Sequence, residues 1–200
     1  RGSPHLWSAR PDNPGRDPSR GEVLPQGLAL IRGGVCALQL RCKGWTEEKV
    51  RRAAAQLHGP CEEADVPLII NDFPAIASLG HGLHLGQEDG PFDRSALPDS
   101  CLLGRSVHNL ESLRAAEREG VDYVGFGPIF ESTTKPGIRP PRGLDALARI
   151  STATSLPIVA IGGIREEHLP ALKEAGASGW APMSALFSCD NLVEACRRFS

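Results

Sequence analysis

Apolar runs of strand length recur along this chain with helix-like segments between them, and that alternation leaves few folds open. The runs are VCALQLR (35–41), PLIIND (67–72), GLHLG (82–86), CLLGRS (101–106), DYVGFG (122–127), LPIVAIG (156–162) and GWAPMS (179–184); a weaker HLWSA (5–9) brings them to eight. Leu68, Ile69 and Ile70 are unbroken by any polar residue, as in a strand buried on both faces of a parallel sheet. Between the runs lie WTEEKVRRAAAQLHG, HNLESLRAAEREG and REEHLPALKEAG; Asn109 is placed to cap the second, Gly120 to stop it and Gly176 to close the third. Strict alternation predicts a parallel α/β sheet, and eight repeats within 200 residues predict a compact (β/α)8 TIM barrel as a single domain over 1–200. An open doubly wound sheet is the alternative. The first strand is atypical, and RPDNPGRDPSR (10–20) reads as an exposed loop leading to the first helix.

A net charge of -2 and a pI near 6.3 exclude the basic field that drives binding to nucleic acid or anionic membrane, while leaving local phosphate sites open. No apolar run is long enough to span a bilayer, and RGSPHLWSARPDNPG lacks the apolar stretch of a secretory signal. The six cysteines form no C-x-x-C pair, which favours reduced thiols over a zinc site or a disulfide framework; a cytoplasmic location is expected.

In such barrels the chemistry sits at the C-terminal ends of the strands. Gln39, Arg41, Lys43, Asn71, Asp72, Gln87, Glu88, Asp89, Ser106, His108, the run 132–135, Gly162, Gly163 and Ser184 all fall there. Asp72 and Asp89 follow neighbouring strands, so their carboxylates can converge on Mg2+, which takes oxygen ligands and keeps several waters. Against this, Asp72 could cap a helix starting at Phe73-Pro74 and Asp89 could lie in a solvated turn. QLRCK puts Gln39, Arg41 and Lys43 on one face if the segment is extended, as a diphosphate beside a metal would require. FGPIFESTTKPG (126–137) has the hydroxyls and the lone Lys135 of a lid over phosphate, with a solvated loop as the alternative. AIGGI and PMSALF supply glycine-rich backbone and a helix start where barrels commonly bind phosphate. A structural role is expected for His84, and His108 could shuttle a proton.

GGVCALQLRCK, LIINDF, HLGQED, GRSVHN, DYVGFGPIFESTTK, LPIVAIGGI and SALF, in that order from about Leu28 to Phe187, resemble the thiamine-phosphate synthases, in the family that also holds the TenI thiazole tautomerases. The resemblance implies a (β/α)8 barrel that joins a pyrimidine diphosphate to a thiazole phosphate and releases diphosphate, by a dissociative reaction assisted by Mg2+. It implies that Gln39, Arg41, Lys43 and Asn71 bind the diphosphate substrate, that Asp72 and Asp89 ligate Mg2+, and that Ser106 touches the pyrimidine. Ser132, Thr134 and Lys135 occupy the Thr-x-Thr-Lys loop with one conservative departure, and Gly163, Met183 and Ser184 line the thiazole-phosphate pocket. Arg41, Lys43, Ser106 and Lys135 are the residues expected to act in the reaction itself. The expected partners are these two small molecules, with a homodimer also compatible. Other departures are the poor first strand, a short connection between LIIND and GLHLG that requires a tight third helix, and Pro182 where a strand normally donates N–H groups. A metal-free tautomerase with His108 as base, and a phosphate-binding barrel without turnover, are the competing readings.

Overall fold

The computed structural model describes residues 6–9, 23–131 and 140–199. The strands are β1 (Leu6–Ala9), β2 (Ala37–Leu40), β3 (Leu68–Asn71), β4 (Gly82–Leu85), β5 (Leu102–Val107), β6 (Tyr123–Phe126), β7 (Ile158–Ile161) and β8 (Gly179–Ala181). All pair parallel in chain order within one sheet. β8 comes against β1, so the sheet curls into the expected barrel rather than an open layer.

Around it lie α1 (Val23–Arg32), α2 (Glu47–Glu63), α3 (Leu110–Arg118), α4 (Gly143–Ser151), α5 (Leu169–Glu174), α6 (Met183–Phe187) and α7 (Leu192–Arg197). The Asn109 side chain accepts from the Ser112 N–H at 2.8 Å, and Ser112 accepts from the Asn109 N–H in return. Gly120 and Gly176 take the left-handed φ values, 72° and 90°, that end their helices. Among the described residues no helix is long and apolar enough to cross a membrane.

The helix expected after the third strand is not an α-helix. Residues 72–81 must turn, cross and return, and a parallel crossover through an α-helix takes about a dozen residues or more. The chain uses the 3-10 segment Pro74–Leu79 instead, whose rise of about 2.0 Å per residue covers more distance than the 1.5 Å of an α-helix. The connection from β4 to β5 also contains no α-helix, only 3-10 turns at Gln87–Asp89 and Arg94–Ala96. Pro182 causes no loss in the sheet, because β8 stops at Ala181 and the proline becomes the N-cap of α6, where its missing N–H is not needed.

Strand alternation separates two cores. Leu38, Leu40, Leu68, Ile70, Leu83, Leu85, Leu103, Val124 and Phe126 pack outward against the helices, and each buried side chain of this kind contributes about 1.5–3 kcal/mol. Ile69, Tyr123, Val159 and Ala181, with Ala37 and Ile161 against them, fill the barrel interior. Cys61 and Cys196 lie in the outer core, where burial pushes their thiols up to about 11 and makes them poor nucleophiles.

The interior is packed tightly enough to dictate residue size. A Cβ on Gly104 would stand 2.1 Å from Cζ of Tyr123, whose hydroxyl is held by a hydrogen bond to His84. Gly104→Ala is therefore expected to destabilise the fold by about 1–3 kcal/mol, the usual range for overpacking. Urea unfolding checks this, and an unchanged midpoint would show that Tyr123 can move aside.

Candidate active site

Ladder register aims a polar layer into the barrel mouth. Asn71 pairs with His84, His84 with Gly104, and Ser106 with Gly125, so these positions share the inner face; Gln39 joins them through its pairing with Ile69. His84 is fully buried and shares hydrogen bonds with Tyr123 through Nδ1 at 3.0 Å and with Ser106 through Nε2 at 2.9 Å. Gln39 in turn hydrogen-bonds the Tyr123 hydroxyl, whose own acidity burial suppresses. The four side chains form one chain, Gln39–Tyr123–His84–Ser106, which accounts for an amide inside an apolar strand. Burial first, then the charges of Arg41 and Arg105, push the His84 imidazole down to about 3. It is neutral at physiological pH, in the structural role expected of it.

Asp72 stands immediately beyond β3 in a left-handed conformation, φ 67°, which only a minority of non-glycine residues adopt. Its N–H donates to the His84 carbonyl at 3.0 Å. The following 3-10 segment has Phe73 at its N-cap and no side-chain cap, so Asp72 does not serve as a helix cap. Burial and then the charge of Asp89 hold the half-buried Asp72 carboxyl above the usual range, while Arg41, Lys43 and a hydrogen bond from Asn71 pull it down. Two carboxylates and two cations thus share one electrostatic neighbourhood. Asp89 also has a turn role: its Oδ2 accepts from the Gly86 N–H at 2.6 Å.

β2 ends at Leu40, so the extended face predicted for Gln39, Arg41 and Lys43 does not reach Lys43, which is exposed in the turn before Gly44. Arg41 is half-buried, and both cations still act on Asp72. Asn71 is buried, and although its amide favours the Asp72 charge, its Nδ2 meets no partner at full hydrogen-bond geometry among the described residues. A buried orphan donor costs about 1–3 kcal/mol, which a ligand oxygen would remove.

These features fit Mg2+. Among the described residues no three His, Cys, Asp or Glu side chains gather as a metal cage, but Mg2+ is usually held by one or two carboxylates together with water and substrate phosphate. A cation between Asp72 and Asp89 would also relieve their mutual repulsion.

On the far side of the mouth, Gly162 and Gly163 adopt φ 94° and 65°, and a Cβ on Gly163 would lie 2.5 Å from the Glu131 carbonyl oxygen. This glycine pair is required by close packing against residues 128–131, whatever it also offers to phosphate. Met183 and Ser184 open α6, both half-buried. Ser132, Thr134 and Lys135, with the lid reading placed on them, lie outside the described residues. Among the described residues to either side, Arg142 N–H donates to Pro128 O at 2.8 Å and Gly143 N–H to Ile129 O at 3.1 Å. His108 lies at 3.0 Å from the Gly127 carbonyl through Nδ1, and since a carbonyl only accepts, Nδ1 carries the proton.

Two residues that support this mouth were not singled out in the sequence. Tyr123 reads there as an ordinary apolar strand residue. Arg105 had a visible signal, a lone cation inside the buried run CLLGRS, but its partners come from turns far along the chain.

A family model described as thiamine monophosphate synthase matches residues 14–186. A thiamine-phosphate synthase of Chloroflexus aurantiacus is 41% identical over 173 residues, covering 85% of this chain and 80% of that protein. Another from Syntrophomonas wolfei is 38% identical over 180 residues, covering 88% and 86%. The solved structure of a thiamine phosphate pyrophosphorylase from Pyrococcus furiosus aligns with a TM-score of 0.82 at 25% identity, over 98% of this chain and 93% of that one.

The neutral state of His84 has a thermodynamic signature. Its folded pKa lies below the unfolded value near 6.5, so the unfolded chain takes up the extra proton first. Stability from this residue is complete above about pH 6.5 and drains as pH falls toward 3, by up to about 1.4 kcal/mol per pH unit. Urea unfolding across that range should show this slope, and His84→Gln should flatten it by one proton. Equal slopes in the two proteins would mean that His84 is protonated in the fold.

Proposed function

The chain belongs to the thiamine monophosphate synthase family, and from that premise we propose that it is a thiamine-phosphate synthase. The reaction is a transfer: 4-amino-5-hydroxymethyl-2-methylpyrimidine diphosphate is joined to 4-methyl-5-(2-phosphooxyethyl)thiazole, and diphosphate leaves. The observation that carries the reading is the shared field of Asp72, Asp89, Arg41 and Lys43 at the ends of β2 to β4. Paired carboxylates beside two cations suit a metal-bridged diphosphate better than a singly charged ligand.

Asp72 and Asp89 would hold Mg2+, which when bound supplies positive charge to the diphosphate. Arg41 and Lys43 add theirs as the carbon–oxygen bond breaks and negative charge accumulates on the leaving group, so they favour the transition state over the ground state. Gln39 and Asn71 orient the diphosphate substrate from the inner face of β2 and β3. Ser106, held by His84, contacts the pyrimidine. A neutral His84 matters here, because a protonated imidazole would oppose the positive charge that develops on the pyrimidine as diphosphate departs. The thiazole nitrogen then captures that carbon. Gly163, Met183 and Ser184 hold the thiazole phosphate, and Ser132, Thr134 and Lys135 complete the phosphate contacts. A homodimer and a cytoplasmic location complete the proposal; sedimentation equilibrium would return twice the 21.4 kDa chain mass.

With both substrates and Mg2+, the purified protein should make thiamine phosphate, detected directly. EDTA should stop this reversibly, and Asp72→Ala should lower turnover by about a hundredfold or more, the scale seen when one preorganised electrostatic group is removed. Full activity in EDTA would sink the metal reading. Isomerisation of a thiazole carboxylate without coupling of the two substrates would favour a tautomerase with His108 as base, and tight binding without turnover would favour a non-catalytic barrel.

Lys135 is expected to act late, on charge that grows during bond cleavage. Lys135→Ala should therefore lower the single-turnover rate by roughly a hundred- to thousandfold, with a much smaller effect on substrate affinity. A loss confined to affinity would show an ordinary loop lysine.

A further inference from the structure

Arg105 points away from the mouth, yet it grips the turn on which Asp89 is carried. It lies on β5 between Leu103 and Val107, in register with Leu85 and Val124, and therefore on the helix-facing side of the sheet. Its side chain is only 8% exposed. Nε donates to Glu119 Oε2 at 2.9 Å and Nη2 to Glu119 Oε1 at 3.0 Å, a two-pronged pairing with the residue that caps the C-terminus of α3. Nη1 donates to the Gly86 carbonyl at 2.6 Å, and Nη2 also donates to the Gly90 carbonyl. One guanidinium thus joins β5, α3 and both ends of the turn 86–90. Gly86 is held from both sides, its carbonyl by Arg105 and its N–H by the Asp89 carboxylate.

A planar fork with five donors can hold four acceptors at once; an ammonium on a flexible stem cannot reproduce that geometry. Burial also makes the arrangement directional, because the charge is matched by Glu119 and two further N–H groups are spent on the turn. Without Arg105 the turn keeps its internal Gly86–Asp89 bond and loses the two bonds that run from its carbonyls to β5.

We propose that Arg105, backed by Glu119, is a positioning residue for the metal site: it fixes the 86–90 turn so that Asp89 meets the same cation as Asp72. The inference rests on the metal role proposed above for Asp89. Arg105 touches neither substrate nor metal and acts only through the turn. Residues that orient metal ligands commonly cost 10–100-fold in metal affinity when replaced, and a comparable loss is expected here.

The probe is Mn2+ with inorganic diphosphate, titrated into the purified full chain and followed by electron paramagnetic resonance, so that binding is read without turnover. Wild type should bind Mn2+, and Asp89→Asn should weaken it. Arg105→Lys should weaken it about tenfold or more, and the double variant should bind no more weakly than Asp89→Asn alone, because the clamp has nothing left to position. Losses that multiply in the double variant, or Arg105→Lys with lower thermal stability but unchanged Mn2+ affinity, would show a purely structural ion pair and overturn the proposal. If Arg105→Lys fails to fold, Glu119→Gln takes its place: a weaker shift that again vanishes in the Asp89→Asn background supports the clamp, and an unchanged affinity overturns it. A wild-type protein that gathers no Mn2+ with diphosphate, or an Asp89→Asn protein that binds as wild type does, would overturn the metal role of Asp89 and the clamp with it.

Discussion

In a parallel ladder, residues paired across two strands point to the same side, so the register of one pair governs the faces of every neighbour. The mouth of this barrel depends on that constraint. Once Asn71 is set opposite His84 and His84 opposite Gly104, the strands present their helix-facing leucines and isoleucines outward and their polar residues inward without further instruction. A slip of one residue in β4 would send His84 into the outer core and Leu83 or Leu85 into the mouth. The outer apolar layer makes such a slip costly, and so protects the polar layer. Gly104 shows the same coupling from inside: it is small because Tyr123 crosses it, and Tyr123 crosses it to reach His84.

The electrostatics of the mouth divide along the same lines. On the inner wall, charge is avoided: His84 is kept neutral by burial and by the nearby guanidinium groups, and its hydrogen bonds run to hydroxyls. On the rim, charge is concentrated: Asp72 carries a burden of burial and of repulsion from Asp89 that Arg41 and Lys43 only partly offset. A rim of that kind is poised to accept a cation and an anion together. The left-handed backbone at Asp72 belongs to the same economy, since a residue at the end of a buried strand must leave its regular conformation to carry a carboxylate outward.

Much of this was legible in the chain itself. LIIND could be read as a buried strand ending in polar groups at the mouth because three apolar residues are followed at once by an amide and a carboxylate, and the alternation of such runs with capped helices, as at Asn109 and Gly120, led to the barrel. The misreadings arose where local pattern had to yield to geometry. The Phe73-Pro74 segment looks like a helix start, but too few residues remain before β4 for an α crossover. Lys43 continues a period of two on paper, while the chain has already left the sheet. Gly162-Gly163 is not a misreading of this kind: the phosphate reading stands as a proposal, and the packing against 128–131 demands the pair independently. Arg105 is the hardest case, because its meaning lies in Gly86, Gly90 and Glu119, none of which is adjacent to it in sequence.

The two sides of the mouth therefore solve different physical problems. The β2 to β5 side presents side chains mounted on or directly beside strands, tied into the ladder through pairs such as Asn71–His84 and through the Arg105 fork. The β6 to β8 side is built from backbone: carbonyls and N–H groups of residues 128–130, 142–143 and 161–162 hold one another, and glycines make the close approach possible. A leaving group that gains charge during the reaction calls for donors that do not reorganise as that charge appears, and strand-mounted side chains supply them. A phosphate that merely anchors the second substrate carries the same charge before and after the bond forms, so a surface of backbone groups that binds it equally well throughout is sufficient. In the proposed reading the β2 to β5 half faces the bond that breaks, joined there by Lys135 from the segment after β6, and the backbone half faces the substrate that only has to be held in place.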